Sequence, residues 1–75
     1  MEERFVEGFA EILEIEPASV VAALDLSAHN WDSLAIVSTI ALVDELYGLV
    51  LDGKALSKCK TVADIYSLVA SNVKA

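Results

Sequence analysis

The chain begins with a helical pattern of apolar residues. Between positions 5 and 13 the apolar side chains recur at intervals of three and four, which is the spacing of one face of an α-helix. They are Phe5, Val6, Phe9, Ile12 and Leu13. The glutamates of this segment fall mostly on the other side, where we expect a solvated face. The pattern predicts an amphipathic first helix from Glu2 to about Glu14, and Pro17 prevents its continuation.

A long connection follows the first helix. No long periodic segment lies between Pro17 and Asp32, although the stretch from Ala18 to Leu24 predicts a short helical turn behind the proline. Long loops in small domains are commonly functional or held to the core by their own side chains. The side chains expected to hold this one are Val20, Val21, Leu24, Leu26 and Trp31.

The second helical segment is apolar almost all round. It begins at Ser33, with Asp32 as its predicted N-cap, and ends at about Leu46 or Tyr47, before Gly48. One apolar face comprises Ile36, Ile40, Val43 and Tyr47. A second apolar line, about a third of a turn away, comprises Leu34, Val37 and Ala41. The polar positions are Ser38, Thr39, Asp44 and Glu45. Such a helix lies centrally in its domain or meets a partner with its second face.

Two further helical segments are predicted in the last third of the chain. After a turn at Asp52-Gly53, a short helix is expected from Lys54 to Lys58. A last helix begins at Thr61, which forms a capping box with Asp64. Its predicted buried stripe comprises Val62, Ile65, Tyr66, Val69 and Val73. The chain is therefore expected to be all-α and to form a single domain over residues 1–75.

Composition and charge narrow the classes of function. The 75 residues are 56% apolar, so a helical core is feasible, and a single cysteine, Cys59, excludes an intramolecular disulfide and fits a reducing cytoplasm. No metal-ligand framework is visible. Twelve acidic against five basic residues give a net charge of −7, which repels nucleic acid and anionic membranes. The apolar run from Leu34 to Val43 is interrupted by polar residues, so no membrane insertion is expected. Because the chain is acidic, its partners should present basic patches.

One side chain offers chemistry in a suitable place. Ser33 opens the apolar second helix directly after Asp32, although the same pair also suits an ordinary helix cap. No base stands beside Ser33 to activate it: His29 is expected to be a solvated loop residue, and Cys59 a small buried hydrophobe. Any covalent group on Ser33 must therefore be attached by another enzyme.

Several motifs together resemble the acyl carrier protein family. They are Trp31-Asp32-Ser33-Leu34, the long loop before it, the apolar helix after it, the short Lys54 to Lys58 helix, and Thr61-Val62-Ala63-Asp64-Ile65 beginning 28 positions beyond Ser33. The resemblance implies a four-helix bundle with a short third helix. It also implies that Ser33 bears 4'-phosphopantetheine from coenzyme A, whose thiol carries acyl groups as thioesters. Asp32 and Leu34 would help a phosphopantetheinyl transferase to recognise the site.

The resemblance has consequences for partners. It implies a monomeric, non-enzymatic carrier that meets acyl-loading and acyl-using enzymes. Many family members carry a glycine two residues before Asp-Ser and several acids on the second and third helices, whereas this chain has Asn30 and Trp31 before Asp32, and Lys54 and Lys58 further on. These departures favour a specialised fatty-acid, lipid or polyketide-type pathway. The Asp before Ser33 favours an acyl over a peptidyl carrier.

The predicted docking surface lies on the second helix. We expect partners to meet Leu34, Val37 and Ala41 by hydrophobic contact more than by charge, with Asp44 and Glu45 at one end. Trp31 has two interpretations. It is either a loop anchor at the core edge, which we favour, or an exposed platform for a partner or cargo.

Two other functions compete with the carrier. In a small helical protein–protein interaction module without a prosthetic group, the apolar second helix would dock a partner and Ser33 would merely begin the helix. A hydrolase that uses Ser33 is a more distant alternative, because nothing in the sequence completes a triad.

Overall fold

The four predicted helices are present. The computed structural model describes residues 3–29 and 31–72, and no strand occurs among them. The helices are α1 (Glu3–Leu13), α2 (Ser33–Tyr47), α3 (Gly53–Ser57) and α4 (Val62–Asn72), and two short 3₁₀ turns lie at Pro17–Ser19 and Leu26–Ala28. The prediction of an all-α, four-helix domain with a short third helix is confirmed. Glu2 and Val73, which were assigned to the first and last helices, lie outside the described residues.

Backbone geometry and side-chain caps set the helix ends. α1 ends in a Schellman motif, in which Ile15 N–H bonds to Ala10 O at 2.9 Å and Glu14 adopts a positive φ of 58°. α2 begins where the Asp32 carboxylate accepts the Ala35 N–H at 2.9 Å. It ends at Gly48, whose φ of 67° is one that glycine adopts readily. The predicted start and end of α2 are therefore confirmed.

The long loop is joined to the beginning of α4 by backbone hydrogen bonds. Leu26 N–H donates to Lys60 O at 2.8 Å, and Ala63 N–H donates to Ala22 O at 2.9 Å. Because the first amides of a helix have no intrahelical acceptor, the loop supplies partners that α4 would otherwise lack. The loop is thus a fixed part of the bundle.

The core lies between all four helices and the long loop. Its largest completely buried apolar side chains are Phe5, Phe9, Leu26, Leu56, Ile65, Val43 and Val62. The Phe5 ring stacks on Phe9 with centroids 5.4 Å apart and meets Tyr66 edge-on at 5.0 Å. Such pairs add to the stability gained by burying apolar area.

One detail of the predicted core was wrong. Val21 was expected to hold the loop, yet it is 49% exposed while Val20 is buried, because neighbouring side chains of an extended backbone point in opposite directions. Thr39, one of the four polar residues of α2, is fully buried. Its hydroxyl donates to Ala35 O at 2.8 Å, which satisfies the group without water. The predicted central face is therefore rotated, and Ile36 and Ile40 are only partly buried.

Within the described ranges, no helix is both long enough and apolar enough to cross a membrane.

Candidate functional site

Ser33 is the first residue of α2, and its side chain is exposed. The residue before it, Asp32, is bound to the helix on two sides: its carboxylate accepts the Ala35 N–H, and its carbonyl accepts the Ile36 N–H at 2.9 Å. These bonds hold the backbone on both sides of Ser33. The Ser33 hydroxyl therefore lies on a rigid helix end that another protein can reach.

The backbone of this helix end suits a covalently attached anion. The first amides of a helix and its macrodipole give the N-terminus a partial positive charge. Asp32 caps one amide, and α2 is 15 residues long, so a phosphate bonded to Ser33 would lie where negative charge is favoured. The residues present thus fit a phosphodiester on Ser33.

The residues around His29 form a turn of the loop. Ser27 donates to the Asp25 carboxylate through its hydroxyl at 2.6 Å and its N–H at 2.9 Å. These two bonds hold the pKa of the Asp25 carboxyl below its usual range, and the bond from the hydroxyl makes the larger contribution. Ser27 thus holds the Asp25 carboxylate in place within the loop.

The apolar line predicted on α2 faces outward. Leu34 is 74% exposed and Val37 is 61% exposed, and Ala41 follows them on the same side. The acids Asp44 and Glu45 are also exposed, towards the far end of the helix. The structure therefore places these five residues on the exposed surface of one helix.

Two glutamates that the sequence did not associate with the site lie next to it. A shallow depression of about 400 Å³ between the end of α1 and the start of α2 is lined by Glu11, Glu14, Asp32 and Leu34, among others. On the sequence these glutamates belong only to the outer face of the first helix. No spacing rule links them to Asp32, because the packing of α1 on α2 brings them there.

Trp31 holds the loop to the core. Its indole Nε1 donates to Leu56 O at 3.2 Å, and its ring centroid is 5.9 Å from that of Phe9. The side chain is partly buried and packs against the core. Through these contacts Trp31 anchors the end of the loop to the core.

Cys59 is partly buried at the end of α3. Its thiol lies 3.5 Å from Ala55 O, and burial, with a smaller contribution from the Asp64 charge, raises the pKa of Cys59. A thiol with a raised pKa is a poor nucleophile at neutral pH. Cys59 thus behaves as the small hydrophobe that the sequence suggested.

Comparison with known proteins identifies the family. The family model described as "Phosphopantetheine attachment site" matches residues 3–69, which is most of the chain. Comparison with curated proteins and with solved structures found no significant match. Members of this family carry covalent 4'-phosphopantetheine, so that group is the cofactor of this chain, and the predicted resemblance is confirmed. A four-helix domain with an exposed serine at the start of its apolar second helix thus belongs to the phosphopantetheine-attachment family of carrier domains.

Proposed function

We propose that Ser33 is the attachment residue and that the chain is an acyl carrier protein. The observation that carries the proposal is the place of Ser33: it is the exposed first residue of α2, held by the Asp32 cap and followed by an exposed leucine. Attached there, the phosphodiester is stabilised by the positive end of the helix, and the bundle stays rigid while the arm moves.

The attachment is carried out by a separate transferase. The Ser33 hydroxyl oxygen attacks the phosphorus of coenzyme A that bears the pantetheine. The serine loses its proton to a base of the transferase, and adenosine 3',5'-bisphosphate leaves. In this proposal Asp32 and Leu34 are contacts for the transferase, and Asp32 also caps the helix. The chain itself performs no catalysis.

Acyl-loading and acyl-using enzymes dock on the apolar line of α2. Leu34, Val37 and Ala41 supply the hydrophobic contact, while Asp44 and Glu45 contribute charge at one end. Trp31 fixes the loop that leads into this helix. Large exposed apolar side chains grouped on one helix are typical of interaction sites.

The wider setting follows from the same features. We propose that residues 1–75 act as a single, monomeric carrier domain in a reducing cytoplasm, in a specialised fatty-acid, lipid or polyketide-type pathway. The thinned acidic surface supports this choice, since α3 carries Lys54 where an acid is common in the family, and Lys58 follows it.

Loading by a transferase tests the attachment. The purified protein is incubated with coenzyme A and a phosphopantetheinyl transferase, and the intact product is weighed. We expect a mass gain of one phosphopantetheine in the wild type and in Ser67→Ala, a control that removes an exposed serine of α4. Ser33→Ala should gain nothing.

The outcomes separate the candidate functions. A gain that persists in Ser33→Ala would place the arm elsewhere. No gain with several transferases would favour an interaction module, and ester hydrolysis by the unmodified protein would indicate a hydrolase.

A further inference from the structure

A groove reaches Trp31, two residues before the proposed attachment residue. It has a volume of about 930 Å³ and runs between the end of the long loop and residues 57–61, which comprise the last residue of α3 and the connection to α4. Trp31 lines one side of it. Since Trp31 precedes Ser33 by two residues, their Cα atoms are at most about 7 Å apart. The groove is therefore within reach of an arm attached to Ser33, and its size is that of small-ligand sites.

The groove has an apolar wall. Trp31 and Cys59 line it from the loop and from the end of α3, and both side chains are partly buried against the core. Their positions are fixed, Trp31 by its bond to Leu56 O and Cys59 by its contact with Ala55 O. A hydrocarbon segment that lay against them would lose water contact without requiring these groups to move.

The charge of the groove differs from that of the rest of the chain. Its lining includes Lys58, Lys60 and a single carboxylate, Asp25, which gives a formal charge of +1 against −7 for the whole chain. Two of the five basic residues of the sequence thus lie in one small groove. The lining also includes His29, which adds a ring nitrogen that can donate a hydrogen bond.

Two carboxylates close to these lysines, Asp25 and Asp64, are held by other bonds. Asp25 accepts two hydrogen bonds from Ser27, and Asp64, which faces Lys60 from α4, accepts the N–H groups of Lys60 and Thr61 at 2.9 and 3.2 Å. A lysine ammonium has three donors, so Lys58 and Lys60 retain donors for a further anion. An apolar wall with a cationic edge suits a ligand that has a hydrocarbon body and an anionic end.

We propose that Lys58 and Lys60, which line this groove, make the carrier favour acyl groups that end in a carboxylate over neutral acyl groups of equal length. The inference rests on the proposed attachment to Ser33. The hydrocarbon part of the cargo packs against Trp31 and Cys59, and its carboxylate meets the two ammonium groups. The groove thereby shields such a cargo from solvent and distinguishes it from a neutral acyl group of equal length.

The sequence provides two reporters for this groove. Its single tryptophan and its single cysteine both line it. The arm is transferred to the protein from one of two coenzyme A analogues, in which a succinyl or a butyryl group is joined by an amide in place of the thioester. An arm of this kind contains no thiol. Cys59 is then the one thiol in the protein. Its alkylation by iodoacetamide, carried out at alkaline pH because the pKa of this thiol is raised, reports whether the groove is covered. Intact mass confirms loading first.

We expect the succinyl arm to slow Cys59 alkylation about threefold to fivefold relative to the butyryl arm, as one or two exposed charge contacts allow. Trp31 emission should change with the same preference. In the double variant Lys58→Gln/Lys60→Gln the difference between the two arms should disappear. Lys54→Gln, which removes a lysine of α3 that is not among the lining residues, should retain it.

Each contrary result has a separate meaning. Loaded proteins in which both arms protect Cys59 equally, or in which neither does, would overturn this inference while leaving attachment to Ser33 intact. A difference that survives in Lys58→Gln/Lys60→Gln would also overturn it. A wild-type protein that gains no mass would contradict the proposed function itself.

Discussion

The Trp31 indole donates a hydrogen bond to the backbone carbonyl oxygen of Leu56, with 3.2 Å between Nε1 and the oxygen. The two residues are 25 positions apart, so this bond joins the loop before Ser33 to α3. The Trp31 ring also meets Phe9 of α1. One side chain therefore connects the proposed attachment point to two other helices.

Removing the indole N–H should destabilise the fold. Trp31→Phe keeps most of the ring but leaves the Leu56 carbonyl without this donor, so we expect a loss of about 1–2 kcal/mol in the free energy of unfolding. Urea unfolding followed by far-ultraviolet circular dichroism measures it, because that signal does not depend on tryptophan. Val50→Ala, which truncates a side chain that is 78% exposed, should change stability by less than about 0.5 kcal/mol. Equal stability of wild type and Trp31→Phe would refute a structural role for the bond.

Gly48 should be difficult to replace. Its φ of 67° ends α2, and a Cβ there would meet no atom within 4 Å, so the cost of Gly48→Ala is conformational and should be about 1 kcal/mol. Gly48→Asn should recover part of it, since asparagine tolerates this conformation. Chemical denaturation compares the three proteins.

Gly53 provides the matched control for this substitution. It lies in α3, no positive φ is recorded for it, and a Cβ would be 3.7 Å from the Ile40 Cδ1 atom, an ordinary contact. Gly53→Ala should therefore be neutral or slightly stabilising. If both alanine variants were equally destabilised, the argument from φ would fail.

Stability should depend on Asp64 at acid pH. The backbone N–H of Lys60, and to a smaller extent that of Thr61, holds the pKa of the Asp64 carboxyl below its ordinary value of 3.8. A carboxyl with a lowered folded-state pKa contributes stability that is fully present above the unfolded value and is lost as pH falls through the folded value. Titration of the side chain by NMR should give a pKa below 3.8, and unfolding should become easier over that acid range.

Asp64→Asn tests the assignment. It removes the titrating group, so its stability should depend less steeply on pH below about pH 4 than that of the wild type. An Asp64 pKa at or above its ordinary value would contradict the role of the backbone donors.

Partner binding should depend on the exposed apolar line of α2. Leu34→Ala and Val37→Ala each remove an exposed side chain, so we expect unchanged stability but an affinity for the transferase weakened by about tenfold, typical of a truncated interface anchor. Asp44→Asn and Glu45→Gln should have smaller effects. Isothermal titration calorimetry measures each affinity.

Salt separates hydrophobic from electrostatic docking. If the affinity for the transferase varies little between low and physiological ionic strength, docking depends on hydrophobic contact through Leu34 and Val37. A steep fall with salt would instead indicate that the carboxylates govern docking, with Glu11 and Glu14 beside Asp32 as the first ones to test.

Local chemistry made much of the fold predictable. Asp32 and Gly48 marked the two ends of α2 because capping depends on neighbouring residues alone, and Thr61 with Asp64 marked the start of α4 for the same reason. The burial of Thr39 was missed because α2 is apolar almost all round, so its pattern does not say which side is central.

The surroundings of Ser33 were less predictable than Ser33 itself. Contacts such as the one from Trp31 to Leu56, or the approach of Glu11 to Asp32, join residues distant in sequence and depend on how the helices pack. The groove between Trp31 and Cys59 has the same origin. Periodicity describes single elements, and these features arise between elements.

Locating the modification tests the central claim most directly. After loading with coenzyme A and a transferase, the protein is cleaved and its peptides are fragmented in a mass spectrometer, so that the mass of phosphopantetheine can be assigned to one residue. We predict that it lies on Ser33 alone. Phosphopantetheine on any other serine, or a wild-type protein that stays unmodified under conditions that load another carrier, would contradict the account.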